Sequence, residues 1–293
     1  MPKFISLIGY PLKHTISPYF QQAALDYYQL DIRYEIWETS PKELEPAVKK
    51  LREPQNIGAN VTVPYKEAVL LLLDEVDDLA NLIGAVNTIA KRNEKLIGFN
   101  TDAHGFIEAL YKEGHFDPAG KRAVVLGAGG AARAVSFALV KRKISTVTII
   151  NRTFERAKAL ADSLNSYIRN YSSRGLETEV TALPWESLNS HETLEYCELI
   201  VNCTTIGTKY TSQEGQSPLS IEVIPGDILV YDLVYNPWPT PLLQMARGAG
   251  ANILGGLAML VYQGAASFEL WMGKEAPIDT MLNKAKEIIG EER

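Results

Sequence analysis

A chain of 293 residues with 46% apolar and 22% charged residues has the composition of a soluble protein large enough for two domains, which excludes a disordered or low-complexity chain. The net charge of −6, with a pI near 5.4 and no basic run, speaks against nucleic acid and anionic membrane as partners. Cys197 and Cys203 sit in or beside one predicted strand, too close along it to bridge, and no ligand spacing joins them to His14, His104, His115 or His191, so free thiols in a reducing cytoplasm are expected and no metal site.

Strands are predicted at Phe4 to Ile8, Ile32 to Trp37 and Ala59 to Val63, with helices at Pro18 to Tyr28, Pro41 to Leu51 and Tyr65 to Leu73. The run Phe4 to Ile8 is too short for a signal sequence. Thr15-Ile16-Ser17-Pro18 reads as a helix start, with Ser17 the cap and Pro18 the first helical residue. A hairpin pairs Val86 to Lys91 with Lys95 to Phe99 around Arg92-Asn93-Glu94, and a helix starts near Asp102. Alternating strands and helices imply a mainly parallel sheet.

From Lys121 the pattern changes to that of a second unit. Strands are predicted at Ala123 to Leu126, Thr146 to Ile150, Glu179 to Leu183, Leu199 to Cys203, Ile228 to Asp232 and Asn252 to Leu254, with helices between them that include 131 to 142 and Glu155 to Asn165. This is the pattern of a doubly wound α/β sheet. Tyr171 to Gly175 and Tyr210 to Ser217 are polar and aperiodic and read as loops. Ile253 to Trp271 has a single charged residue, Glu269, and is nearly long enough to span a bilayer. Its apolar residues, Leu257, Leu260, Val261, Gly264, Ala265 and Phe268, repeat at helical spacing with Gln263 and Ser267 on the other side, which predicts a helix buried in protein.

The strand Ala123 to Leu126 ends in Gly127-Ala128-Gly129-Gly130-Ala131-Ala132 and a helix follows, the arrangement that places backbone amides on a pyrophosphate. Gly127 lets the chain reverse, Gly129 admits the phosphate, and Ala132 lets helix and strand pack closely. The end of the next strand selects the cofactor. A carboxylate there would accept from the ribose 2′-hydroxyl of NAD, but this chain has Asn151-Arg152-Thr153, with Arg156 a helical turn further on. A guanidinium fork and a hydroxyl suit a 2′-phosphate, so NADP(H) is the expected cofactor, with the loop Tyr210 to Ser217 expected over its nicotinamide; the alternative is a pair of solvated helix-start arginines.

Hydride reduction of a ketone leaves an oxyanion that needs a positioned proton donor. Lys66 follows Asn60-Val61-Thr62-Val63-Pro64-Tyr65, where a strand ends and its stem leaves the sheet's carboxyl end, the side on which such sheets bind ligands; a solvated surface lysine is the competing reading. Asp102 reads equally as a helix cap and Asn87 as a turn residue.

Taken together, His14 to Pro18, Asn60 to Lys66, Gly84 to Thr88, Asn100 to Asp102, Gly127 to Ala132, Asn151 to Thr153, Tyr231 to Tyr235 and Gly256 to Gln263 resemble the shikimate dehydrogenase family over nearly the whole chain. The resemblance implies NADPH-dependent reduction of 3-dehydroshikimate to shikimate by hydride transfer at C3, a step of chorismate and aromatic amino-acid biosynthesis. It implies an N-terminal αβα substrate domain, 1–104 with 256–293, and a Rossmann NADP-binding domain, 105–255, with the substrate in the cleft between them. It places Thr15, Ser17 and Tyr235 on the substrate carboxylate and Thr62, Asn87, Asp102 and Gln263 among its hydroxyls. Lys66 is then the proton donor, paired with Asp102. Gly127, Ala128, Gly129, Gly130, Ala131, Asn151, Arg152, Thr153, Arg156 and Gly256 fall to the cofactor. Partners are small molecules, with a homodimer as the candidate assembly.

The chain departs from the family pattern in two places. Thr15 stands where serine is usual, which narrows the carboxylate pocket in a region where relatives that also oxidise quinate vary, so a dual quinate/shikimate dehydrogenase is the alternative. Gly255 and Ala258 replace the more usual Asp and Gly. A non-catalytic NADP-binding regulator is the rival of a different class; it predicts an added interaction module, and the sequence has none. A methyltransferase would want an acidic ribose partner at Asn151, and a dehydrogenase acting on folates would not need the Thr15 to Pro18 and Gln263 features.

Overall fold

The computed structural model describes residues 2–12, 15–171 and 177–290. His14, and the part of the predicted loop Tyr171 to Gly175 beyond Tyr171, lie outside them. The chain divides into two compact units, Met1–Gly105 with Leu260–Arg293, and Phe106–Met259.

The first unit carries β1 Lys3–Gly9, α1 Ser17–Tyr27, β2 Ile32–Glu38, α2 Leu44–Lys50, β3 Asn56–Val61, β4 Glu75–Val76, α3 Asp78–Ile83, β5 Thr88–Arg92 and β6 Lys95–Phe99, and the chain leaves it on α4 Asp102–Lys112. The strands form one sheet in the order β2-β1-β3-β5-β6-β4. β1 runs parallel to β2 and β3, and β4 to β6, whereas β5 is antiparallel to both its neighbours. The carboxyl ends of β1, β3 and β6 and the amino end of β5 therefore lie at one end of the sheet, where Asn60 is opposite Thr88 and Thr88 opposite Phe99. Val48, Leu51, Val61, Val69, Ile89 and Leu96 belong to the core on the α2 side.

Four predictions in this unit are corrected. β3 begins at Asn56 and ends at Val61, so Thr62 and Val63 lie past the strand. No α-helix spans Tyr65 to Leu73; turns are followed by a 3-10 helix, Ala68–Leu72. An α-helix would direct the Lys66 carbonyl to the Leu70 amide, but that carbonyl accepts from the Val86 amide at 2.7 Å, a partner brought in by the fold. Ser17 is itself the first residue of α1, whose N-cap is Ile16, and no side chain caps the helix. The hairpin turn is tighter than predicted: Arg92 pairs with Lys95, and Asn93 and Glu94 both have positive φ, the two-residue turn whose twist suits a hairpin. α3 was not predicted, although Asp77 caps it through the Leu79 amide and Gly84 ends it in the left-handed region.

The second unit contains β7 Arg122–Leu126, α5 Gly130–Lys141, β8 Thr146–Asn151, α6 Phe154–Tyr171, β9 Glu179–Pro184, β10 Leu199–Asn202, β11 Leu229–Asp232, α7 Pro241–Gly248 and β12 Asn252–Gly255. Its sheet has the order β12-β11-β10-β7-β8-β9 with every pair parallel, the doubly wound arrangement. Both faces of such a sheet are covered, which is why its strands read as continuous apolar runs. Val124, Leu126, Ile200 and Val230 pack with Leu242, Leu243 and Ala246 of α7 on one face. Val125, Ile149 and Val201 alternate onto the other.

α8 Leu257–Met272 then leads back into the first unit, followed by α9 Ile278–Ile289, which packs on α1. Within that unit Gln21 donates to the Gly264 carbonyl at 2.9 Å and Trp271 to that of Ile89 at 2.9 Å. No described helix is long and apolar enough to cross a membrane. The apolar run that includes Leu257 to Phe268 is protein core.

Candidate active site

In the first unit, the shared end of the sheet gathers the polar residues. Lys66 follows β3, Asn87 precedes β5, and Asp102 follows β6 at the start of α4. Lys66 Nζ donates to Asp102 Oδ2 at 2.7 Å, and their side chains are only 15% and 5% exposed. The surface-lysine reading of Lys66 is thereby set aside. Asp102 is not the side-chain cap of α4: Asn100 Oδ1 accepts from the Ala103 amide at 3.2 Å, which leaves the Asp102 carboxylate for other partners.

Asn87 is fixed in orientation because its Oδ1 accepts from the Thr101 amide at 2.7 Å. Its Nδ2 lies 2.8 Å from Thr101 Oγ1, 3.1 Å from Asp102 Oδ1 and 2.9 Å from Gln263 Oε1. An amide nitrogen has two hydrogens, so these three acceptors cannot all be served at once. Thr101 Oγ1 also lies 3.2 Å from Thr88 Oγ1 and 3.1 Å from Ser267 Oγ, so the Asn87 hydrogens are shared among neighbours that have partners of their own. Gln263 is in turn oriented by its own Nε2, which donates to the Leu260 carbonyl at 2.6 Å.

Beneath these residues lies a hydrogen-bonded layer of small hydroxyls. Ser267 Oγ is 2.7 Å from Thr88 Oγ1 and 3.1 Å from Thr101 Oγ1, and Asn60 Nδ2 reaches Ser267 at 3.1 Å while its Oδ1 accepts from Tyr34 at 2.8 Å. All are buried. Sequence reasoning assigned no role to Thr88, Thr101 or Ser267; the available signals were a hydroxyl within a predicted strand, one between a strand end and a helix start, and one opposite the apolar side of a helix. Thr15 and Ser17 follow β1 and Thr62 follows β3, at the same end of the sheet. Thr15 Oγ1 accepts from the Ser17 amide at 3.4 Å, and the start of α1 carries neither a side-chain cap nor an acidic residue.

In the second unit the glycine turn falls between β7 and α5. Gly127 has φ of +111°, a conformation that only glycine takes readily. Gly129 caps α5 with no side chain to satisfy the first amides, and a Cβ there would enter open space. The turn thus offers amides at a helix start to an anion. Gly127, Ala128, Gly129, Asn151 and Arg152 line a cavity of about 560 Å³ with Trp185, Thr204, Thr205, Ile206, Ser212 and Gln213. Arg156 is exposed, and its Nη2 lies 3.5 Å from the Ala128 carbonyl. Asn151 Nδ2 donates to the Thr153 carbonyl at 2.8 Å. Gly130, Ala131, Thr153, Arg156 and Gly256 are not among the lining residues. Gly256 is needed for packing, since a Cβ there would collide with the Leu233 backbone. Of the loop predicted over the nicotinamide, Ser212 and Gln213 reach the cavity, and Thr205 donates to Gln213 Oε1 at 3.0 Å. Trp185, one residue past the end of β9, was not foreseen; its signal was its place at the carboxyl end of a strand.

A doubly wound unit with a glycine turn at a helix start and an arginine at the second strand's end, joined to a unit with a buried lysine–carboxylate pair, defines an NADP-dependent oxidoreductase. Comparison with known proteins narrows the class. The family model for the shikimate dehydrogenase substrate binding domain matches residues 7–89, that for shikimate / quinate 5-dehydrogenase residues 110–205, and that for the shikimate 5'-dehydrogenase C-terminal domain residues 256–286. The shikimate dehydrogenase (NADP(+)) of Methanopyrus kandleri is 42% identical over 277 residues, 94% of this chain and 92% of that one. A crystal structure of a shikimate dehydrogenase in complex with NADP+ matches with a TM-score of 0.87 at 37% identity, covering 98% of this chain and 96% of that one. The shikimate 5-dehydrogenase of Thermus thermophilus, in complex with NADP(H) and shikimate, gives 0.83 at 38% identity, covering 97% and 99%. The chain belongs to the shikimate dehydrogenase family.

Proposed function

We propose that this chain reduces 3-dehydroshikimate to shikimate with NADPH, a step toward chorismate, the first unit holding the substrate and the second the cofactor. The observation that carries the reading is the bonded series Lys66, Asp102, Asn87 and Gln263 in a family whose named relatives are NADP-dependent shikimate dehydrogenases.

Bound NADPH supplies the hydride. Lys66 Nζ holds the proton that the oxygen at C3 takes up as the carbonyl becomes an alcohol. Asp102 keeps that ammonium in place and, through its second oxygen, accepts from a substrate hydroxyl. Gln263 Oε1 and Asn87, 2.9 Å apart beside that carboxylate, divide the remaining hydroxyl contacts. Thr62 is assigned to the same group of hydroxyls. Thr15 and Ser17 at the uncapped start of α1 suit the carboxylate, where the helix amides also favour an anion. Tyr235, from the loop after β11, is a further carboxylate ligand. Gly127 to Ala131 take the pyrophosphate, Arg152 takes the 2′-phosphate with Asn151, Thr153 and Arg156 around it, and Gly256 is assigned to the nicotinamide end. A cytoplasmic setting is consistent with two free cysteines, Cys197 buried and Cys203 half-buried.

The test is NADPH oxidation with 3-dehydroshikimate, run beside NADP+ reduction with shikimate and with quinate. Turnover of 3-dehydroshikimate is expected, and its absence with folded protein overturns the reading. The quinate arm addresses Thr15. Thr15→Ser keeps the hydroxyl and is expected to leave the KM for shikimate within about twofold, whereas Thr15→Val keeps the shape, loses the donor and raises it roughly tenfold. A valine variant with wild-type KM would make Thr15 a packing residue.

A further inference from the structure

Asp232 closes β11 with no solvent exposure, and its carboxylate meets neutral donors. Oδ1 accepts from Asn202 Nδ2 at 2.9 Å and from the Val234 amide at 3.0 Å; Oδ2 accepts from the Thr240 hydroxyl at 2.6 Å. Burial pushes this carboxyl up to about 6, while the three donors pull it the other way. A buried anion with neutral partners is costly, and an apolar side chain would fill a sheet interior at lower cost. What the carboxylate achieves is therefore to be sought in its three donors.

Two of them bracket one loop. Val234 directly precedes Tyr235. Thr240 caps α7, its Oγ1 accepting from the Leu243 amide at 3.2 Å while its hydrogen goes to Asp232. The loop that carries Tyr235 is thus fastened at both ends to one carboxylate. The third donor, Asn202, is itself braced, because its Oδ1 accepts from the Thr204 amide at 3.0 Å and the Thr204 hydroxyl at 2.7 Å. The Asn202 carbonyl also accepts from the Leu233 amide at 3.0 Å. The anchor is rigid on its sheet side and branches on its loop side.

We propose that Asp232 is a positioning residue that holds the Tyr235 loop in the form that binds the substrate carboxylate. The inference rests on the assignment of Tyr235 as a substrate ligand. Asp232→Asn keeps the volume and one acceptor oxygen, but its amide hydrogens face the Thr240 hydroxyl, which must turn its own hydrogen away. The fastening at the loop's far end is then a neutral bond of reversed direction, weaker than the one to a carboxylate.

A double-mutant cycle with Tyr235→Phe tests this, with each variant first shown to be folded by its near-ultraviolet circular dichroism. Each single substitution is expected to raise the KM for shikimate roughly tenfold with kcat little changed. The double variant is expected to be no worse than either single one, because Asp232 acts through Tyr235. Losses that multiply, or an Asp232→Asn variant with wild-type KM and only a lower Tm, overturn the inference and leave the Tyr235 assignment standing. A Tyr235→Phe variant with wild-type KM removes that assignment and the inference with it. Should Asp232→Asn fail to fold, the cycle is run with Thr240→Val. Thr240→Ser, which retains the hydroxyl, is then expected to keep the wild-type KM, and its failure to do so counts against the inference.

Discussion

Lys66→Met lowers kcat for reduction of 3-dehydroshikimate by about 10² to 10⁴ and leaves NADPH binding at its wild-type value. Methionine retains much of the bulk of the stem and removes the proton. If Lys66 delivers that proton to the oxygen at C3, its removal withdraws an interaction made as the hydride arrives, and the loss appears in kcat. A lysine that merely binds substrate as a charge gives the opposite pattern, a higher KM with kcat intact. The geometry sharpens the contrast, because Lys66 Nζ is held at 2.7 Å by a carboxylate that is itself nearly buried. Asp102→Asn keeps the shape but leaves the ammonium without its counter-charge, and removing one partner of such a pair costs more than the pair contributes. That variant is therefore expected to lose in both kcat and KM. Stopped-flow NADPH oxidation with both variants, after a fluorescence titration of the cofactor, decides the assignment. A Lys66→Met enzyme that turns over near the wild-type rate rules Lys66 out and leaves Tyr235, or a water held by Asp102, to supply the proton.

The second unit was more legible in the sequence than the first, for a physical reason. Its strands are parallel and buried on both faces, so each reads as an unbroken apolar run, and each predicted strand falls within a residue of the one that forms. The first unit mixes parallel and antiparallel pairs, and its local preferences yield to distant partners. Tyr65 to Leu73 reads as helix, yet the Lys66 carbonyl goes to Val86, and the Asp74 amide goes to the Leu96 carbonyl. The residues that could carry chemistry were legible as residue types at strand ends, because such ends are where polar groups interrupt apolar runs. Their mutual bonding was not. Asn87 reads as a turn residue from its neighbours, and only the fold brings Gln263 within hydrogen-bond distance of it, from far along the chain. The same holds for Asp232 and Asn202. Each ends an apolar strand with a polar residue, a visible signal, but nothing in the local sequence says that two adjacent strand ends are bonded to each other.

Arg152→Ala is expected to weaken NADP(H) binding by roughly tenfold to a hundredfold and to leave NAD(H) almost unchanged, since one charge-assisted contact is worth about 1.5 to 3 kcal/mol. The two cofactors differ only in the 2′-phosphate, so a contact confined to that group must discriminate between them. Arg152 is placed for such a contact. It is exposed, lines the cavity of the glycine turn, and follows Asn151 at the end of β8, where a carboxylate would have repelled the phosphate. Arg156 provides the internal control, because its guanidinium lies 3.5 Å from the Ala128 carbonyl, on the turn common to both cofactors. Its removal is expected to cost some affinity for each, and a larger loss for NADP(H) to the extent that it shares the phosphate. Titration of both variants with both cofactors, at several salt concentrations, separates these roles: a phosphate contact weakens with salt and vanishes with NAD(H), whereas support of the turn does neither. Equal losses for NADP(H) and NAD(H) in Arg152→Ala would mean that Arg152 shapes the turn and that another group selects the cofactor.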